Sequence, residues 1–179
     1  MEYAIVLLPL LGSIISGFFG KALGSKQSQI LTSLLVSVSA IISLYIFYEV
    51  LVNDYSSNKL IFNWITSGNF IVNWSVYIDP VTSVMLVVVS LISSIIHFYS
   101  IGYMSQDPHK TRFMSYLSLF TFSMLMLVTG DNFLQLFFGW EGVGLCSYLL
   151  IGFWYKKPSA NYAAMKAFIV NRIGDFGFA

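Results

Sequence analysis

Residues 132–154, NFLQLFFGWEGVGLCSYLLIGFW, carry a single charged side chain, Glu141. A helix that crosses a bilayer needs about 20 mostly apolar residues. The stretch therefore reads as a transmembrane segment, and four runs upstream share its character: 3–20, 30–52, 81–103 and 113–130. A sixth begins near Tyr162 and is still running at Ala179, with no polar exit or C-terminal cap signal, so it reads as incomplete. The predicted fold class is all-α, a polytopic transmembrane helical bundle.

Composition agrees. Only 9% of the 179 residues are charged and 57% are hydrophobic, against about 25% charged in an ordinary soluble domain. Nine Lys/Arg and eight Asp/Glu give a net charge of +1, which leaves no basic surface for nucleic acid. A single cysteine, Cys146, excludes an internal disulfide framework and a zinc cluster. The first apolar run starts at Tyr3 without a basic region before it or a convincing cleavage site after it, and so reads as a retained helix.

The connections set an orientation. Loops one, three and five contain Lys21, Lys26, Lys110, Arg112, Lys156 and Lys157, whereas loops two and four contain only Lys59. Basic loops stay on the cytoplasmic or matrix side, which places the N-terminus outside. Loop two, 53–79, is external and aromatic: LIFNWI and FIVNWSVYI flank Gly68 and Asn69. It reads either as a β-hairpin on the outer surface or as an interfacial loop. Pro80 and Pro158 stand where helices can begin, and Asp79 and Asp131 are candidate caps.

Ionisable groups inside the apolar runs are few and costly there, so each is a candidate functional residue. They are Glu141, His97, Lys166, Arg172 and Asp175. Glu141 lies eight residues beyond Phe133, about 12 Å deep, too far for a carboxylate to reach the surface. Arg172 lies about 15 Å along a helix that starts near Tyr162 and runs the opposite way. The i,i+3 spacing puts Asp175 on the same side. Low-dielectric surroundings favour a neutral acid while a nearby cation favours its ionised form, and a group under both influences can pass a proton. Two readings of these charges stay open, a proton relay and a pin between helices. Lys166 can snorkel to the inner interface, and His97 suits either proton transfer or packing. Neither histidine belongs to a metal-binding motif.

Longer stretches carry a resemblance. IDPVTSVMLVVVS (78–90), FYSIGYM (98–104), the run from Arg112 to Tyr155 and AAMKAFIVNRIGDFG (163–177) are similar to the NADH-ubiquinone oxidoreductase chain 5 family. That family supplies antiporter-like membrane subunits of respiratory complex I. LLPLLGSIISGFFGK (7–21) is similar too. The resemblance implies the N-terminal part of an antiporter-like fold, with Glu141 as the key carboxylate of a proton half-channel and Arg172 and Asp175 in the neighbouring charge group. It gives Lys166 an accessory place and His97 a weaker one, and makes the 53–79 loop a hairpin that touches a neighbouring subunit. It further implies no cofactor in this chain, with NADH, FMN, iron-sulfur clusters and ubiquinone elsewhere in the complex. The implied partners are other complex I membrane subunits, lipid, protons and internal water, and the implied location is the mitochondrial inner membrane or a bacterial plasma membrane. Two other readings stay open, a subunit of a related multisubunit cation/proton antiporter and a non-pumping structural membrane piece.

Overall fold

The computed structural model describes residues 1–68 and 70–178. It contains α1 (Glu2–Leu23), α2 (Ser25–Asn53), an antiparallel hairpin of β1 (Ser57–Ser67) and β2 (Phe70–Ile78), then α3 (Pro80–Tyr103), α4 (Lys110–Val128), α5 (Phe133–Ile151) and α6 (Pro158–Phe178). α1 to α4 pack on one another, α5 packs on α4, and α6 packs on α5. α1 to α5 are long and apolar enough to cross a membrane. α6 has the length but not the composition, because Asn161, Lys166, Asn171, Arg172 and Asp175 interrupt its 21 residues.

The interior is polar and the exterior apolar. Ser28, Thr32, Ser39, Ser43, Ser90 and Ser118 are fully buried, while Ile41, Leu51, Ile92 and Ile95 are exposed. A bilayer reverses the solvent argument of a soluble bundle. Lipid is as apolar as leucine, so helices associate through small residues and interhelical hydrogen bonds. Hydroxyl pairs bridge α1 to α2 (Ser16 to Ser28, 2.6 Å) and α2 to α3 (Ser37 to Ser94, 2.8 Å; Ser43 to Ser90, 2.6 Å). This use of serine explains why α2 begins at Ser25, earlier than the expected 30. Ser28 and Gln29 look like loop residues in the sequence, yet both are buried. At its other end α5 stops at Ile151, short of the expected 154, and Trp154 instead donates its indole N–H to Asp107 Oδ2 at 2.9 Å.

The hairpin lies over the end of the bundle where α1 begins and α2 ends. β1 is exposed, whereas Val72, Ser75, Val76 and Ile78 of β2 are buried. Val76 and Ile78 join Ile5, Val6, Ile46, Val50, Leu86, Leu125 and Met126 in one apolar cluster. Gly68 takes φ of 58° in the turn, a left-handed conformation that glycine adopts without strain; the adjoining Asn69 lies outside the described residues. The outer edge of β2 is closed by side chains and loop backbone. Gln135 accepts from Ser75 N at 3.1 Å and donates to Ser75 O at 2.6 Å, which imitates a neighbouring strand. Asn132 Nδ2 donates to Asn73 O at 2.8 Å, and Tyr77 N donates to Thr129 O at 3.0 Å. Asp79 caps α3 as expected, accepting from Thr82 N at 2.6 Å. Asp131 does not cap α5. Asn132 takes the cap position and accepts from Gln135 N at 2.9 Å, because its extended backbone aims its side chain back at the helix. Asp131 instead accepts from Asn58 and Ser75 Oγ, each at 3.0 Å.

Glu2 ties the hairpin to the start of α1. Its buried carboxylate accepts from Tyr55 Oη, from Ser57 Oγ at 2.8 Å and from Lys59 Nζ at 3.1 Å. The hydrogen bond and the negative charge of Glu2 hold the Lys59 ammonium above the ordinary lysine range. A raised folded value means that this contribution is complete below the unfolded lysine pKa and is lost only as pH rises through the folded one, above about 10.4. Glu2→Ala leaves Tyr55 and Ser57 without their acceptor, at an expected cost of about 1–3 kcal/mol. The check is hydrogen exchange of the β1 and β2 amides, which should speed up while the helices keep their protection.

Candidate charged site between two helices

α5 and α6 meet along a face that glycine makes narrow. A Cβ at Gly144 would stand 2.5 Å from Asn171 Nδ2, so α6 lies close against that side of α5. Gly139 and Gly142 serve α4 instead: a Cβ at Gly139 would stand 2.6 Å from the Leu127 backbone, and one at Gly142 would stand 2.8 Å from Ser123 Oγ. α5 is thus held close between α4 and α6, and Glu141 sits among these three glycines.

Glu141 meets Arg172 across the α5/α6 face. Arg172 Nη1 lies 2.6 Å from each carboxylate oxygen, bridging both. The same nitrogen is 3.7 Å from Asp175 Oδ2 one turn further along α6. Asp175 is buried and accepts from Trp140 Nε1 at 2.8 Å and from Asn171 Nδ2 at 3.3 Å. The guanidinium also stacks over Phe168, 4.9 Å from the ring centroid. One cation therefore stands between two carboxylates, and the indole of Trp140, the residue beside Glu141, fixes the second of them.

Exposure differs along this line: the side chain of Arg172 is 48% exposed, that of Glu141 21% and that of Asp175 6%. The pair opens at the surface of this chain while Asp175 anchors its inner edge. Such an arrangement can shift Arg172 between its two acceptors. Trp140 and Asn171 are absent from the sequence-based candidates. Their signal was the adjacency of an indole donor to Glu141 and the i,i+4 spacing of Asn171 to Asp175, but neither spacing says which partner lies across the helix interface.

The other two candidates stand apart. Lys166 is exposed, and being six residues before Arg172 it points about 120° away around α6. His97 is fully buried between α3 and α4. Its Nδ1 lies 2.7 Å from Ser93 O, a carbonyl that can only accept, so Nδ1 carries the proton. Nε2 lies 3.0 Å from Ser118 Oγ and, in the neutral ring, accepts from that hydroxyl. Cys146 is buried with its sulfur 3.8 Å from Ser123 Oγ. Among the described residues no three His, Cys, Asp or Glu side chains are grouped to hold a metal ion.

Comparison with known proteins adds sequence and fold relationships. Residues 64–114 match the family described as NADH-Ubiquinone oxidoreductase (complex I), chain 5 N-terminus, and residues 130–179 match NADH:quinone oxidoreductase/Mrp antiporter, TM. The chain is 59% identical over all its 179 residues to NADH-ubiquinone oxidoreductase chain 5 of Arabidopsis thaliana, of which it covers 27%. It is 55% identical over 97% of its length to NADH-quinone oxidoreductase subunit L of Rickettsia bellii, again covering 27% of that protein. It thus spans about a quarter of the length of these relatives. A chain of the membrane-bound sulfane sulfur reductase, an archaeal respiratory membrane complex, superposes with a TM-score of 0.78 over 98% of this chain and 35% of the other at 17% identity, a likeness of fold.

Proposed function

Since the chain belongs, over its whole length, to the NADH-ubiquinone oxidoreductase chain 5 and subunit L family, we propose that it works as a membrane subunit of a proton-translocating NADH:quinone oxidoreductase. It is a multi-pass protein of a mitochondrial inner or bacterial membrane. In this reading it forms the N-terminal part of an antiporter-like domain, and its partners are other membrane subunits of the complex. Electron transfer from NADH through FMN and iron-sulfur clusters to quinone takes place in those other subunits. This chain contributes proton movement, with Glu141 as the group that gains and loses the proton, Arg172 as the mobile countercharge and Asp175 as its alternative acceptor. Lys166 and His97 have supporting places, Lys166 toward the inner interface and His97 within the first four helices.

The observation that carries the proposal is the position of Arg172, within ion-pair reach of both Glu141 and Asp175 across a helix interface. A simple pin between helices needs one partner. The two-acceptor arrangement gives the cation two resting places whose balance depends on the proton at Glu141. The second reading is a subunit of a cation/proton antiporter, favoured by the second matching family, whose description names Mrp antiporters beside the oxidoreductase.

An affinity tag on the complete chain separates the two readings. Purification from mild detergent is expected to bring down NADH:quinone reductase activity that pumps protons after reconstitution into vesicles. Recovery of cation/proton exchange without NADH oxidation would establish the antiporter reading.

A further inference from the structure

Gln29 and Ser33 are one helical turn apart on α2, only 4% and 1% exposed. Neither Gln29 Nε2 nor Ser33 Oγ has a hydrogen-bond partner within the protein. A buried donor without a partner loses its hydration and gains nothing in return. The surrounding helices meet their needs differently, since Ser37, Ser43, Ser90 and Ser94 all pair across the α2/α3 interface.

Those pairs also locate the two orphans. Ser43 with Ser90 and Ser37 with Ser94 set the register of α2 against the antiparallel α3. Continued in the same direction, that register brings Ser33 level with the α3 turn that carries Ser100 and Gln29 level with the end of α3, while His97 lies about one turn from Ser33 on the hairpin side; His97 and Ser100 are buried. α4 closes the third side at this depth, because its Ser118 hydroxyl reaches His97 Nε2. The inner half of the first four helices therefore gathers polar groups that the protein leaves partly unsatisfied.

We propose that this region holds resident water, hydrogen-bonded to Gln29 Nε2 and Ser33 Oγ, which extends the inner aqueous phase toward His97. Water suits the site better than any ion, because neither of the two unpartnered groups carries a charge to balance one. Water both donates and accepts, so it serves the Gln29 amide and the Ser33 hydroxyl together. Globular proteins hold about one buried water per 27 residues, each making about three hydrogen bonds. Two orphans one turn apart are a site of that kind. The water lies on the α2/α3 side of α4, separate from the Glu141 and Arg172 pair, and it does not depend on the chain taking part in proton pumping.

The test is a density map of the complete chain in its assembled complex, at a resolution that shows ordered water. Expected is a peak within hydrogen-bond distance of both Gln29 Nε2 and Ser33 Oγ. An empty volume there, or a protein atom bonded to both groups, would overturn the proposal. Ser33→Ala gives a second reading in the same complex. If the hydroxyl is bonded to water, its loss should remove the peak and lower the unfolding midpoint of the chain by about 2–4 °C. If the hydroxyl is dry, removing it relieves an unsatisfied group, and the midpoint would rise instead.

Discussion

Glu141→Gln in the complete chain is expected to stop proton transfer through this subunit while leaving the complex assembled. The amide keeps the size of the carboxyl and can still accept one hydrogen bond from Arg172, so the α5/α6 contact should survive. It cannot take up or release a proton in the working pH range. A positioned proton-transfer group typically contributes about 10²–10⁴-fold, and flux through this route should fall by at least about a hundredfold. Measured as protons translocated per NADH oxidised in reconstituted vesicles, the ratio drops while NADH oxidation in uncoupled membranes persists. Glu141→Asp keeps the proton but shortens the reach to Arg172, which now sits 2.6 Å away, and should retain part of the flux. An unchanged ratio in the Gln variant would reduce Glu141 to a pin between helices. The pin reading has its own signature, lower stability at constant stoichiometry.

Gly139→Val should have the largest effect on folding. A Cβ at this position would stand 2.6 Å from both the Leu127 backbone nitrogen and Cα. Backbone cannot move aside as a flexible side chain can, so α4 and α5 must separate. Overpacking of a close-packed interior typically costs about 1–3 kcal/mol and sometimes more, and here the strain falls on two helix axes. Separation would also carry α5 away from the Ser123 contact at Gly142 and disturb the placement of Glu141. The expected outcome is little or no assembled complex, read from the amount of tagged chain that copurifies with its partners. Gly102→Ala is the matched control, since a Cβ there meets nothing within 4 Å, and it should assemble normally with a small gain from helix propensity.

The helices were legible because lipid demands long apolar runs, and the pattern of 132–154 recurs along the chain. Their ends were less so. Ser28 and Gln29 resemble loop residues unless the partner helix is known, so the start of α2 at Ser25 is earlier than its hydropathy suggests. The grouping of Glu141, Arg172 and Asp175 followed from depth along two antiparallel helices and from i,i+3 spacing, both properties of single helices that sequence carries. Trp140 and Asn171 escaped because their roles depend on rotation about the helix axes, which is set by packing at Gly144. His97 shows the same limit. Its sequence position fixes its depth, but only the packed α3/α4 interface shows Ser118 as its partner and keeps it away from Glu141. The cap at Asn132 in place of Asp131 turned on one residue's backbone conformation.

The closure of β2 by Thr129, Asn132 and Gln135 bears on how the chain is made. The strand ends at Ile78, yet the group that mimics its missing neighbour is Gln135, 57 residues later by 135 − 78. At about 5–20 residues per second of synthesis, the hairpin waits roughly 3–11 s before α5 can cover its edge. Through that interval α3 and α4 are made, and the Ser75 amide and carbonyl still lack the partner they have in the finished fold. Closure of the hairpin edge therefore has to wait for the helix that carries Glu141.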